Sequence, residues 1–181
     1  MGSQHFFKSY FEEVTEALNG LDPKELEQAA VIIQQAHDSE RKVILAGNGG
    51  SAAMASHVAV DLTKTAGIRA INFNEADLLT CLANDYGYDN TFTRQVDTFV
   101  KPKDLVVAFS TSGKSKNVVK ALQLAKEKGA VTVGFTGSSA GSFPGICDIC
   151  IRVPSENTPR IQESHLAVIH IICELLEKEL T

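Results

Sequence analysis

The sequence predicts an α/β fold built on a five-stranded parallel sheet with helices on both faces. Two observations carry this. From Lys42 onward, short apolar runs rich in β-branched residues alternate with longer runs of helix formers. Such a βαβ series forms a parallel sheet, because right-handed crossovers put the helices on its faces. In addition, two stretches rich in glycine and hydroxyls, Ala46–Ser51 and Ser110–Ser115, each stand between a strand pattern and a helix pattern. In parallel sheets such junctions gather beyond the C-terminal ends of the strands, where ligands bind.

The elements follow in order. A first helix is expected from about Gln4 to Leu18, where Phe6, Phe7, Tyr10, Phe11, Val14 and Leu18 recur at helical spacing. Asn19-Gly20 ends it. So much aromatic surface on a leading helix implies packing on another subunit as well as on its own domain. Asp22 fits an N-cap and Pro23 a first helical position, so a second helix runs to about His37, with Leu26, Ala29, Ala30, Ile33 and Ala36 inside. Strands are then expected near 42–46, 69–73, 105–109, 131–135 and 148–153, and helices near 51–64, 76–84, 90–100, 115–128 and 158–179. Ser138 to Pro144 reads as a flexible loop of small residues. Without repeats or long linkers, residues 1–181 form one domain, with leading helices over 1–40 and the α/β core over 41–181.

Composition excludes several classes of function. Hydrophobic residues make up 44% and charged residues 22%, the balance of a soluble globular protein and not of a disordered one. A net charge of -5 without a Lys/Arg cluster argues against a nucleic-acid partner. No apolar run approaches a membrane span and no signal-peptide core is seen, so a cytoplasmic location is expected. Cys147 and Cys150 form a CxxC with no second pair, which argues against zinc or redox chemistry there. Cys150 reads as a small apolar strand residue, and Cys81 and Cys173 as core residues.

The chemistry-bearing residues cluster around the two junctions. The glycines after the first strand allow positive φ and a close approach of backbone to ligand, with Asn48 and Gly49 in the turn and Ser51 supplying a hydroxyl. Free amides of the following helical turn favour an anion. Ser110, Thr111, Ser112 and Ser115 surround Gly113 in the second junction, which lacks the spacing of a P-loop. Hydroxyls and amides of this kind suit a sugar phosphate that must bind and leave. His57 and Asp61, four apart, share a helix face and suit a metal, acid–base work or a surface contact. On the last helix Gln162, Glu163, His165 and His170 stand among apolar residues; His165 and His170 are five apart and point in different directions. Asn84-Asp85 ends a helix in a Gly/Tyr-rich loop, and His5 and His37 carry no assigned chemistry.

Four ordered motifs together resemble the sugar isomerase (SIS) domain: Gly47-Asn48-Gly49-Gly50-Ser51, Asn84-Asp85-Tyr86-Gly87, Ser110-Thr111-Ser112-Gly113-Lys114-Ser115, and Arg160-Ile161-Gln162-Glu163-Ser164-His165 with Val168-Ile169-His170. The resemblance runs from about Phe6 to Leu180 and is strongest to the phosphoheptose isomerase branch. It implies a three-layer flavodoxin-like α/β/α sandwich, a homotetramer with active sites between subunits, and conversion of sedoheptulose 7-phosphate to D-glycero-D-manno-heptose 7-phosphate for nucleotide-activated heptose. It implies phosphate binding by Ser51, Ser110, Thr111, Ser112 and Ser115, and further substrate contacts from Asn48, Gly49, Asn84, Asp85 and Gln162. Asp61 and His170 fall on the catalytic positions. His57, Asp61, Gln162 and His170 fall on the ligands of one zinc per subunit.

The chain departs from the family pattern at Asp61, where glutamate is usual, at Lys64-Thr65-Ala66-Gly67, which lacks an arginine, and at Pro159, where aspartate is common. Ala52-Ala53 matches a non-enzymatic relative that binds the bacterial replication initiator, but that relative lacks the histidine found here at His170. Three functions therefore stand open: the heptose isomerase, a non-catalytic sugar-phosphate-binding SIS protein, and another SIS sugar-phosphate isomerase.

Overall fold

The computed structural model describes residues 2–180. Met1 and Thr181, the ends of the expected 1–181 domain, lie outside the described residues. Two helices lead, α1 (Ser3–Asn19) and α2 (Pro23–Asp38). The core follows as β1 (Val43–Gly47), α3 (Gly50–Lys64), β2 (Ala70–Asn72), α4 (Ala76–Tyr86), a 3₁₀ turn (Tyr88–Asn90), α5 (Thr91–Phe99), β3 (Leu105–Phe109), α6 (Lys116–Glu127), β4 (Val131–Thr136), α7 (Phe143–Ile146), β5 (Ile149–Arg152) and α8 (Thr158–Leu180). The start of α2 is as expected: Asp22 caps it by accepting the Lys24 N–H at 2.9 Å, and Pro23 takes the first turn.

The five strands are parallel in the order β2-β1-β3-β4-β5. Strand growth reverses between β1 and β3, so the loops leaving these two strands flank the crevice where parallel sheets bind ligands. Side chains alternate across the sheet. Val43, Leu45, Val107, Phe109, Val133 and Phe135 pack with residues of α2, α3 and α8 on one face. Ile44, Ala46, Val106 and Ala108 pack with Phe92, Val118, Leu122 and Phe143 on the other. Both faces are covered, which is why these strands read as unbroken apolar runs.

Two local expectations are corrected. The small-residue stretch near Pro144 is no simple loop: residues 143–146 make the single turn α7, which buries Phe143 completely. That ring lies on Gly134 of β4, where a Cβ would come within 2.5 Å of Phe143 and 2.7 Å of the Cys147 sulfur. Gly134→Ala is therefore expected to cost about 1–3 kcal/mol through overpacking, read as a lower urea midpoint. Cys81 is exposed rather than in the core. It lies on α4, which buries none of its residues, and its Sγ faces the Asp85 carboxylate at 3.8 Å. Cys173 is buried as expected. Burial pushes the Cys147 and Cys150 thiols up to about 12 and about 11, so neither is a ready thiolate.

Candidate active site

The β1–α3 junction turns at Gly49, whose φ of 59° and ψ of -123° suit glycine alone. Gly47 permits the tight return of the chain, since a Cβ there would lie 2.7 Å from the backbone of Ser51. Ser51 is buried, and Gly49 rather than Ser51 takes the N-cap position of α3. At the β3–α6 junction the Ser110 and Ser115 hydroxyls face each other at 3.2 Å. Ser115 occupies the N-cap position, but its hydroxyl turns to Ser110 instead of capping. Thr111 is half-buried and Ser112 exposed.

This second loop is braced from behind. Gly113, at φ 62°, sits against the 137–142 segment so closely that a Cβ would fall 2.0 Å from the Ala140 carbonyl oxygen. Ser142 donates its N–H to the Gly113 carbonyl at 3.1 Å, and Gly137 donates to the Thr111 carbonyl at 3.0 Å. Hydroxyls and first-turn amides of α3 and α6 thus meet at one end of the sheet, a setting for an anion.

Away from this end, α3 and α8 pack side by side and bring three titratable groups together. His57 Nε2 and His170 Nε2 lie 2.9 Å apart, and each reaches Asp61 Oδ2, at 3.3 and 3.5 Å. Two imidazoles and a carboxylate form a donor set that zinc favours, and these three atoms all lie within 4.8 Å of one another. The residues fit the metal that the family pattern implies. Gln162 lies about two turns earlier than His170 on α8. Its amide lies against Gly50, where a Cβ would meet Gln162 Nε2 at 2.6 Å, and eight residues of helix, about 12 Å, separate it from His170. Asn84 and Asp85 sit exposed at the end of α4, where Asn84 Nδ2 donates to Asp85 Oδ1 at 2.9 Å. Among the described residues, neither side chain makes a hydrogen bond or ion pair to the two junctions.

The SIS domain family profile matches residues 7–137. The phosphoheptose isomerase of Aneurinibacillus thermoaerophilus is 42% identical over 159 residues, spanning 84% of this chain and 80% of that protein. The chain belongs to the SIS-domain family, in its phosphoheptose isomerase branch. Solved structures of family members agree. A phosphoheptose isomerase from Francisella tularensis matches with a TM-score of 0.92 at 29% identity, over 98% of this chain and all (100%) of the other. One from Neisseria gonorrhoeae matches with 0.91 at 31% identity, over 98% and 100%.

In this SIS-domain chain, structure adds Asn117, Tyr88 and Asn74, which the sequence did not single out, and gives Tyr10, Arg160 and Glu163 partners that it did not show. Asn117, in the first turn of α6, pairs with Asn48, and Tyr88 reaches the same amide. Asn74, after β2, donates to the Gly47 carbonyl at 2.7 Å. At the start of α8, the Arg160 guanidinium lies over the Tyr10 ring, 3.1 Å from its centroid, and donates to Glu13 at 3.0 Å, while Tyr10 donates to Glu163. This joins α1 to α8. The partners of these residues lie on other elements and were not readable from sequence.

His165 separates from His170 as expected. It is fully buried, with Nε2 against the Thr136 carbonyl at 3.1 Å and an edge-on contact to Phe135. Burial drives its pKa down to about 4, only partly opposed by the Thr136 hydrogen bond. It is therefore neutral in the fold, whereas in the unfolded chain it takes up a proton near pH 6.5. Below that pH the unfolded state binds more protons. Stability should thus fall by about 1.4 kcal/mol per pH unit between roughly pH 6.5 and 4. Urea titrations across this range should show the slope, and His165→Gln should reduce it.

Proposed function

We propose that this chain is an aldose–ketose isomerase, converting sedoheptulose 7-phosphate to D-glycero-D-manno-heptose 7-phosphate through an enediol(ate) for nucleotide-activated heptose. The observation that carries this is the juxtaposition of His57, Asp61 and His170, because a mere sugar-phosphate binder has no use for a base and an acid at 3.5 Å. The names of the relatives support the same substrate.

Moving a proton between adjacent carbons needs a base for the C–H and an acid for the carbonyl oxygen. In this proposal Asp61 and His170 share that work. Ser51, Ser110, Thr111, Ser112 and Ser115 hold the phosphate, with Asn48, Gly49, Asn84, Asp85 and Gln162 completing the substrate site, and this anchoring positions the reacting end. His57 is seven residues along α3 from Gly50, about 10 Å, so the anchoring and reacting ends of an extended sugar phosphate are served by different turns of one helix. His57, Asp61 and His170 would hold one zinc per subunit, with Gln162 joining only through a rearrangement or from another chain. When bound, zinc supplies charge that stabilises the enediolate oxygens.

The protein is proposed to be a single cytoplasmic domain that assembles as a homotetramer. Support for assembly comes from apolar side chains left exposed in the single chain: Phe6, Phe7 and Phe11 of α1, Val60 of α3 and Ile171 of α8. Light scattering at micromolar concentration should give a tetramer, and a monomer would count against it. No described helix is long and apolar enough to cross a membrane. The deciding experiment is incubation of the purified protein with sedoheptulose 7-phosphate, followed by NMR. The aldoheptose phosphate should appear; a ketose that stays unchanged would reject the isomerase.

A further inference from the structure

We propose that Tyr88 and Asn117 are positioning residues that lock the Asn48 side chain so that it offers an N–H, and not its carbonyl, to the ligand. The hydrogen bonds dictate this step by step. Asn117 is buried at 2% exposure, at the start of α6. Its Oδ1 accepts the Val118 backbone N–H at 3.0 Å, and a backbone N–H can only donate, so the orientation of the Asn117 amide is fixed. Its Nδ2 must then face Asn48, where it donates to Oδ1 at 3.0 Å. Asn48 Nδ2 returns a bond to Asn117 Oδ1 at 2.9 Å.

The Tyr88 hydroxyl completes the arrangement by donating to the same Asn48 Oδ1 at 2.7 Å. Both acceptor sites of that oxygen are now used. One Nδ2 hydrogen of Asn48 is left over, on a half-buried residue of the β1–α3 junction. Its complement is an oxygen acceptor: a phosphate oxygen, a carbonyl or a sugar hydroxyl.

Tyr88 also fixes a second piece of the site. It belongs to the 3₁₀ turn directly after α4, the helix that ends with Asn84, Asp85 and Tyr86. The same turn is tied to α6 through Asp89, which lies 3.9 Å from Lys116 and 4.0 Å from Lys120. The Tyr88 hydroxyl is thus the stitch between the end of α4 and the glycine turn, although the ring itself is 57% exposed.

The test is Tyr88→Phe, which removes one oxygen from an exposed ring and leaves α6 intact. Two readouts are taken. The first is proton exchange of the Asn48 side-chain amide by NMR in ligand-free protein. The second is kcat and KM with sedoheptulose 7-phosphate, which rests on the isomerase reading. Expected are faster amide exchange at Asn48, an unchanged melting temperature, and a three- to tenfold loss in kcat/KM carried mainly by KM, the scale of one neutral hydrogen bond. In an Asn48→Ala background, Tyr88→Phe should have no further effect. Unchanged amide exchange overturns the proposal, as do effects of the two substitutions that simply multiply. A parent protein with no isomerase activity rejects the isomerase instead, and the amide exchange alone then decides the lock.

Discussion

His170→Ala and Asp61→Ala are each expected to lower turnover of sedoheptulose 7-phosphate by about 10²–10⁴-fold, the usual cost of losing a positioned acid or base. Affinity for inorganic phosphate should barely change, because the hydroxyl and amide loops lie at the far end of α3 and neither substitution touches them. The geometry makes the two losses comparable: each group lies within hydrogen-bonding or ion-pair range of the other and of His57. Asp61→Glu is the sharper experiment. Its carboxylate is one methylene longer and matches the residue usual in the family. Retained or raised activity would mean that Asp61 fills the same role with a shorter reach. A fall would mean that the site around His57 and His170 has closed in on the shorter side chain. Near-parental turnover in Asp61→Ala, with assembly intact, would reduce the carboxylate to a surface partner of His57.

Gly113→Ala is expected to be the most damaging single change in the two glycine- and hydroxyl-rich loops. The new Cβ would require an unfavourable φ of 62° and would fall 2.0 Å from the Ala140 carbonyl oxygen. The neighbour is backbone, so no side-chain rotation relieves the clash. The two loops must separate, which breaks the Ser142 N–H to Gly113 carbonyl bond and displaces Thr111 and Ser112. A stability loss of about 2–4 kcal/mol is expected, in the range of large core and backbone effects. Phosphate affinity should drop at least tenfold, measured by calorimetry well below the melting temperature. Gly145→Ala, where a Cβ meets nothing within 4 Å, serves as the control and should change neither.

Much of the fold was legible because hydrophobic periodicity is a local property. The runs Val43-Ile44-Leu45 and Leu105–Phe109 are buried on both sides, so they carry no polar alternation to confuse them with surface strands. The glycine junctions were legible for a related reason: Gly49 and Gly113 have positive φ, which leaves a mark in the sequence. The turn α7 was not legible, because a single helical turn is held by Phe143 inserting over Gly134, a contact between separate elements. Cys81 misleads because α4 carries an apolar helix pattern yet buries none of its residues fully in the single chain. Within the candidate site, His57 and Asp61 announced themselves by spacing, but their meeting with His170 depends on how α3 packs on α8. The bonds from Tyr88 and Asn117 to Asn48 cross 40 and 69 residues of sequence, and nothing local encodes them.

His57 and His170 are each 49% exposed. Proton transfer of this kind is favoured where water is excluded and the surrounding dipoles are fixed. In one chain these imidazoles have a wet flank, on helices that also expose the apolar side chains Val60 and Ile171. A neighbouring copy seated there would supply the missing wall, so the specific activity of the enzyme would depend on its own concentration. Serial dilution should then reveal an activity that decays faster than the protein is diluted, with a midpoint at the dissociation constant of the assembly. Substrate that binds only the closed arrangement should move that midpoint lower, making the sugar phosphate a glue for its own catalyst.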